Sequence, residues 1–387
     1  MVEMNAGCPE AKRTGPDARG AALGRALRLA ARLGICGLLM AWIFHAIFMF
    51  EALQVADPAE WAGLSRTARW EFAWTHGPIQ LASMLSHVNG GALLGSFLLM
   101  GLILLAGVAR WRRVLAAGGL PLSWSRAIEI SLVAHFFNSF LLGSAGGDVL
   151  RAIYAARETH HRKTEAVVTV FVDRILGLWA LLLLGCGMML PNLPLIRAHP
   201  QLQLLCLVVL GMTVACTGVV WAALRGGVTR GWGGARGLLR RFPKGPALER
   251  SLDACREFGR SPGFAPRVVG LSMVLNALCI LQVQVLAWGL GMPLAPVLTA
   301  LLVPVITAII AIPVTPSGLG IRENLFVYLL CTPVVGINAT SALSLSLLAY
   351  AGSLAWSLVG GVVYLTFRRR HHLSEVAVAG ARDSEGG

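Results

Sequence analysis

His135-Phe-Phe-Asn-Ser-Phe-Leu-Leu-Gly-Ser-Ala-Gly-Gly-Asp-Val-Leu-Arg151 is the stretch on which the fold turns. It begins as an apolar segment, dissolves into glycine and serine, and restarts with an acid and a base. Gly143, Gly146 and Gly147 argue against continuous helix, because each glycine costs a helix interior roughly 1 kcal/mol. In lipid, such a break would leave backbone N–H and C=O groups unsatisfied, at several kcal/mol each. It survives only where protein or a watery cavity surrounds it, and transport sites tend to be built in such places.

Composition places the stretch in a membrane. Of 387 residues, 56% are hydrophobic and 13% charged, against about 25% charged in soluble domains. Mean hydropathy is +0.68, so apolar side chains must face lipid as well as one another. The expectation is an all-α, polytopic integral membrane helical bundle. A net charge of +14 does not point to nucleic acid, because the bases sit beside apolar segments and not on one soluble module. Anionic membrane lipids are the expected partners. The eight cysteines lack metal spacing and read as small packing residues. No metal or other cofactor is expected.

The basic clusters orient the chain. Residues 1–32 form a basic segment ahead of an apolar run from about 33 to 55. That run exceeds the 7–15 residues of a signal-peptide core and is read as an uncleaved span with a cytoplasmic N-terminus. Residues 56–86 are external, polar and aromatic, with Trp61, Trp70 and Trp74 as an interfacial belt. A second span, about 87–108, ends at the cluster Arg110–Arg113.

The next apolar stretch, 125–147, runs from that cluster to another at Arg151–Lys163. It is too short to cross a ~30 Å core twice at 1.5 Å per residue. A re-entrant hairpin with the glycines at its tip is therefore expected. Spans at about 164–190 and 202–224 follow, then a cytoplasmic loop, 225–266, whose part 246–258 admits a surface-lying amphipathic helix. A fifth span covers about 266–290 and the last about 340–366. Between them, 296–333 is broken at Pro313–Gly320 and admits either a re-entrant hairpin or two short spans. Residues 368–387 are expected to be a disordered cytoplasmic tail. The whole is six full spans, two broken hairpins and a membrane domain over 33–367. Both termini are cytoplasmic and the setting is the bacterial inner membrane.

Ionisable residues at the breaks and inside spans are the candidate site. Asp148 follows two glycines; one role is N-cap of a helix of about 148–160, with Arg151 its i+3 partner. The other aims that helix N-terminus and Arg151 at an anionic group. His135 and Asn138 lie just before. Asp173 and Arg174 lie about ten residues into a span, roughly 15 Å deep, where ionisable groups are costly and face a bundle interior or a wet cavity. Adjacent residues point about 100° apart, so each is expected to pair with a different helix. Arg322 and Glu323 open the second half of the second hairpin. Ser346, Ser353, Ser357 and Gly361 share one helix face and read as packing. Asn276, Gln282 and Gln284 either line a path or bond across helices.

These motifs run in order as Arg110-Trp111, Asn138…Gly143…Gly146-Gly147-Asp148…Arg151, Asp173-Arg174…Gly177 and Ile312-Pro313…Gly318-Leu319-Gly320…Arg322-Glu323. Together they resemble the lysylphosphatidylglycerol synthase transmembrane-region family, also called flippase-like domain proteins. The resemblance implies a membrane domain that moves or accommodates a lipid between leaflets. It also implies cavity roles for Asn138, Gly147, Asp148, Arg151, Asp173, Arg174, Arg322 and Glu323. Leu142 stands where such proteins often carry proline. The family's synthases add a soluble aminoacyltransferase domain, and only about 20 mostly polar residues follow the last span, so aminoacyl transfer by this chain alone is not expected.

The resulting expectation is a lipid translocase or lipid-binding transporter for a phosphate-bearing lipid, with no catalytic residues. The alternatives are a membrane-embedded transferase acting on a lipid-phosphate carrier, or a non-catalytic partner of a lipid-modifying enzyme. The sequence admits a homo-oligomer and carries no nucleotide-binding P-loop.

Overall fold

A computed structural model describes residues 56–140, 145–158, 163–225, 263–311, 321–332, 335–337 and 339–367. It also describes the isolated positions Ala41, His45, Phe48, Met49, Ala52, Leu53, Phe258 and Gly318. The chain divides into Met1–His45, in which Ala41 and His45 are helical, and Ala46–Gly387. All elements named below belong to the second unit. The expected first span, the loop 225–266 apart from Phe258 and Gly263 onward, and the tail lie outside the described residues.

The described chain is helical. Among the elements whose bounds are described, two helices precede the first long apolar one: α1 (Pro58–Gly63) and α2 (Arg66–His87). Ser65 starts α2 by accepting the Ala68 amide at 3.2 Å, as N-cap hydroxyls do. The sequence reading had this region as a polar and aromatic connection, because its apolar residues are too sparse to mark a span. It is instead a 22-residue helix. Trp61 is buried beneath Arg69, whereas Trp70 and Trp74 are exposed.

Among the described residues, five helices are long and apolar enough to cross a membrane: α3 (Gly90–Ala117), α6 (Lys163–Met189), α8 (Pro200–Arg225), α9 (Phe264–Gly289) and α12 (Ala339–Phe367). They match the second to sixth expected spans. Asn89 caps α3 by accepting the Gly91 amide at 2.8 Å. Along α3, Leu94, Leu98, Leu102 and Leu105 form an exposed stripe at i, i+4, i+8 and i+11. An apolar stripe of this kind has lipid as its natural partner. A short helix, α7 (Leu193–Ala198), precedes α8.

Each expected hairpin is a pair of short helices. The first is α4 (Trp124–Phe140) and α5 (Ala145–Glu158); the second is α10 (Pro296–Ile310) and α11 (Ile321–Leu330). Their lengths of 17, 14, 15 and 10 residues fall below the ~20 residues a span needs. α4 packs on α5 and on α12; α11 packs on α10 and α12. The largest apolar cluster joins α6, α8, α9, α10, α11 and α12, around Leu182, Leu286, Leu301 and Leu345. A second joins α3, α4, α5 and the start of α6 around Trp111, Leu115 and Ile130. The site described next borders this second cluster.

Candidate functional site

Three helices meet around five charged side chains: α3 brings Arg110, α5 brings Asp148 and Arg151, and α6 brings Asp173 and Arg174. Arg110 grips Asp173 with two hydrogen bonds, Nε to Oδ1 at 2.8 Å and Nη2 to Oδ2 at 3.0 Å. This is the bidentate fork that makes arginine–carboxylate pairs strong and directional. Its remaining nitrogen, Nη1, donates to Ser272 Oγ of α9 at 3.2 Å, and that hydroxyl donates to the Val268 carbonyl. Gly177, one turn beyond Asp173, makes room for this arginine: a Cβ there would lie 2.4 Å from Arg110 Nη1.

Arg151 approaches the other side of Asp173, Nη1 to Oδ2 at 3.7 Å, which is an ion pair without a hydrogen bond. Its Nη2 donates to Ser131 Oγ of α4 at 3.1 Å. The guanidinium lies over the Trp111 indole, 4.6 Å from the ring centroid, within cation–π range. Arg174 donates through Nε to Asp148 Oδ2. The expected pairing of Asp173 and Arg174 with different helices is therefore what the structure contains. Asp173 is 1% exposed, so its carboxylate depends on those arginines.

Two expectations for Asp148 need correcting. Helix α5 begins at Ala145, so Asp148 lies inside the first turn and is not the N-cap. The capping is done by Asn138 of α4, whose Oδ1 accepts the Gly147 amide at 2.9 Å. The glycine run lets helix start earlier than its propensity suggests, because a side chain from the preceding helix takes up an amide that α5 itself leaves unpaired. Gly147 must be glycine for the two helices to touch: a Cβ would lie 2.0 Å from the Ala134 carbonyl oxygen and 2.6 Å from Asn138 Oδ1. The ion-pair partner given to Asp148 is Arg174, not Arg151.

The second hairpin carries a separate pair. Arg322 donates to Glu323, donates through Nε to Ser346 Oγ at 3.2 Å, and lies 4.2 Å from the Tyr350 ring centroid. Glu323 is 1% exposed. Two turns along α12, the Ser353 carbonyl accepts from His135 Nε2 at 3.1 Å, which fixes the proton on that nitrogen. The serine face of α12 thus bonds to both hairpins, while Gly361 packs on Phe136 as expected. Gln282 donates to Ser96 and Gln284 to the Leu294 carbonyl, so both glutamines bond across helices or to the following turn. Asn276 is buried and its Nδ2 has no hydrogen-bond partner among the described residues.

Of the eight expected site residues, six gather on one side of the bundle: Asn138, Gly147, Asp148, Arg151, Asp173 and Arg174. Arg322 and Glu323 pair with each other on α11, and Arg322 has further partners on α12. Sequence reasoning missed Arg110, Trp111, Ser131 and Ser272 as members of the cluster. Arg110 and Trp111 stood in the motif but were counted with Arg112 and Arg113 as a cytoplasmic flank. The usable signal was an aromatic beside an arginine immediately after the apolar run ended. Among the described residues, no group of three or more His, Cys, Asp or Glu is placed to hold a metal ion.

No curated protein matches the chain. The model of the family described as lysylphosphatidylglycerol synthase TM region matches residues 67–371, a stretch that contains every charged pair described above. The chain is an integral membrane protein and belongs to the lysylphosphatidylglycerol synthase transmembrane-region family.

Proposed function

We propose that this protein is a lipid translocase or lipid-binding transporter of the bacterial inner membrane that moves a phosphate-bearing lipid between leaflets. The observation that carries the reading is the arginine-rich cluster built among α3, α5 and α6 beside a pair of short helices. Three guanidinium groups, Arg110, Arg151 and Arg174, face two carboxylates, Asp148 and Asp173. Counted over these five side chains, one positive charge is left over, and an uncompensated charge in an apolar bundle is costly. A lipid phosphate supplies the missing anion while its acyl chains stay among the exposed apolar stripes. Both termini are cytoplasmic in this reading, and the short helices enter without crossing. Energy comes from a gradient, from consumption of the lipid, or from a partner enzyme.

Purified protein reconstituted in liposomes with head-labelled phospholipids tests the reading, by the rate at which label becomes accessible to a membrane-impermeant quencher. Exchange of at least one phosphate lipid well above protein-free vesicles is expected, with a tenfold or greater loss in Arg151→Gln. A panel of phosphate lipids exchanging no faster than in empty vesicles would sink the transporter reading.

A further inference from the structure

We infer that the arginine cluster selects a lipid with a terminal phosphate, a phosphomonoester taken up as its singly protonated monoanion, over lipids whose phosphate is a diester. The inference rests on the preceding reading that this cluster holds a lipid phosphate, and it follows from which atoms there are already used.

Three of the five N–H groups of Arg110, one on each nitrogen, are already committed. All three of its nitrogens donate to Asp173 and Ser272, and Gly177 closes the space beside Nη1. It is a positioning residue that fixes Asp173. Arg151 is the opposite case. Its Nη2 is bonded to Ser131, its Nη1 stands 3.7 Å from Asp173, and its Nε is buried with no hydrogen-bond partner among the described residues. Trp111 beneath it is 0% exposed, and the indole Nε1 also lacks a partner. On the same helix one turn earlier, Asp148 uses Oδ2 for Arg174, while Oδ1 is buried and has no hydrogen-bond partner among the described residues. Buried polar atoms without partners are rare in folded proteins and mark a place for water or a ligand.

The open atoms are of two kinds. Arg151 offers donors and so asks for a phosphate oxygen. Asp148 Oδ1 is a carboxylate oxygen that can only accept, and so asks for a hydrogen on the ligand. A phosphodiester anion has no proton on its phosphate, and its oxygens repel Asp148. A phosphomonoester monoanion carries both groups on one phosphorus, a negative oxygen for Arg151 and a P–OH for Asp148. Its charge of −1 also matches the single positive charge left by three arginines and two aspartates. The dianion lacks the proton and would overcompensate that charge.

The second ionisation of a phosphomonoester lies near pH 6, so the preference depends on pH in a stated direction. It is strongest at and below that value and fades as the ligand loses its last proton. The charged and titratable groups facing the pair are Arg110 of α3, His135 of α4, and Asp173 and Arg174 of α6. Protonation of His135 would strengthen binding of every anionic lipid alike, so the ratio between two lipids is the readout.

The experiment uses full-length protein in detergent micelles and three dioleoyl lipids: phosphatidic acid, phosphatidylglycerol and phosphatidylcholine. Phosphatidic acid is the monoester. Phosphatidylglycerol is a diester that carries headgroup hydroxyls, and phosphatidylcholine is a diester with no donor. Affinities come from the rise in thermal midpoint on titration at pH 5.5 and pH 8. Phosphatidic acid is expected to bind about tenfold more tightly than phosphatidylglycerol at pH 5.5, on the order of one hydrogen bond to a charged group. The ratio should shrink several-fold at pH 8. In Asp148→Asn the pH dependence of the ratio should vanish; the wild-type ratios decide the matter if that variant does not fold. Equal binding of the two anionic lipids at pH 5.5, or tighter binding of phosphatidylglycerol, would overturn the selectivity and assign Asp148 to a headgroup hydroxyl. If neither anionic lipid binds more tightly than phosphatidylcholine, the assignment of this cluster to a lipid phosphate falls as well.

Discussion

Asn138 caps the first turn of the helix that contains Gly147: its side-chain oxygen accepts the Gly147 amide at 2.9 Å from the far side of the glycine break. The contact ties α4 to α5, and it orients the helix that carries Asp148 and Arg151. Removing a cap of this kind costs about 1 kcal/mol, within a range of roughly 0.5–2. Asn138→Ala is therefore expected to lower unfolding stability by about that amount, whereas Asn138→Asp, which keeps an acceptor, should lose less. Gly147→Ala should be the most damaging of the three, because its methyl group meets a carbonyl oxygen and not open space. Denaturant titration of the three variants in micelles measures the order, and a harmless Gly147→Ala would contradict the close approach of α4 and α5.

The Arg110–Asp173 pair supports a second prediction. Both side chains are largely buried, at 13% and 2% exposure. Loss of one partner of a buried pair typically costs about 3–5 kcal/mol, because the other charge is stranded. Arg110→Gln and Asp173→Asn should each destabilise strongly, and Arg174→Gln less, since its side chain is 46% exposed. The double variant Arg110→Gln/Asp173→Asn should be less destabilised than the sum of the singles, by an interaction energy of about 1–3 kcal/mol. Strict additivity in that cycle would mean the pair contributes nothing as a pair.

Arg322 should behave as a local partner of Glu323 with a packing role. Lysine at 322 keeps the charge but loses the planar face over Tyr350 and the fixed donor to Ser346. Arg322→Lys is expected to be milder than Arg322→Gln, which removes the positive charge beside a carboxylate 1% exposed. The readout is thermal stability together with lipid-exchange rate. Gln and Lys variants equal in both would show that the charge at 322 is immaterial.

Topology gives the fourth prediction. Basic clusters bracket α4 and α5, so Ser123 and Arg157, both exposed, should lie on one side of the membrane. Arg197, exposed beyond α6, should lie on the other. Single cysteines at 123, 157 and 197 in a cysteine-free background can be labelled in intact cells and in inverted vesicles. Labelling of 123 and 157 from opposite faces would make α4 and α5 a crossing element and refute the re-entrant arrangement.

The helices were legible from the sequence wherever one physical rule dominated. Long apolar runs bounded by arginines gave five of the spans, and glycine costs located both short-helix pairs. The first expected span, about 33–55, lies outside the described residues. Helix α2 was missed because a helix with scattered tryptophans and few apolar neighbours leaves no span-like run. The site was legible in its acids but not in its bases. Asp173 is conspicuous as a carboxylate inside an apolar run, whereas Arg110 sits beside Arg112 and Arg113, where membrane charge statistics already explain an arginine. Hydrophobic patterns reveal which face of a helix turns inward, but not which residue 63 positions away will meet it. The Asn138 cap was hidden for the same reason, since capping rules look to adjacent residues and this cap comes from another helix.

Gly177 has a bearing on how such a sequence can drift. The space it leaves is filled by Arg110, and Arg110 is what keeps Asp173 tolerable in an apolar bundle. A descendant that acquires a side chain at 177 must displace the arginine, and one that loses the arginine must also discard the aspartate. None of the three can be replaced first without loss, so positions 110, 173 and 177 form a single unit of inheritance spread over two helices.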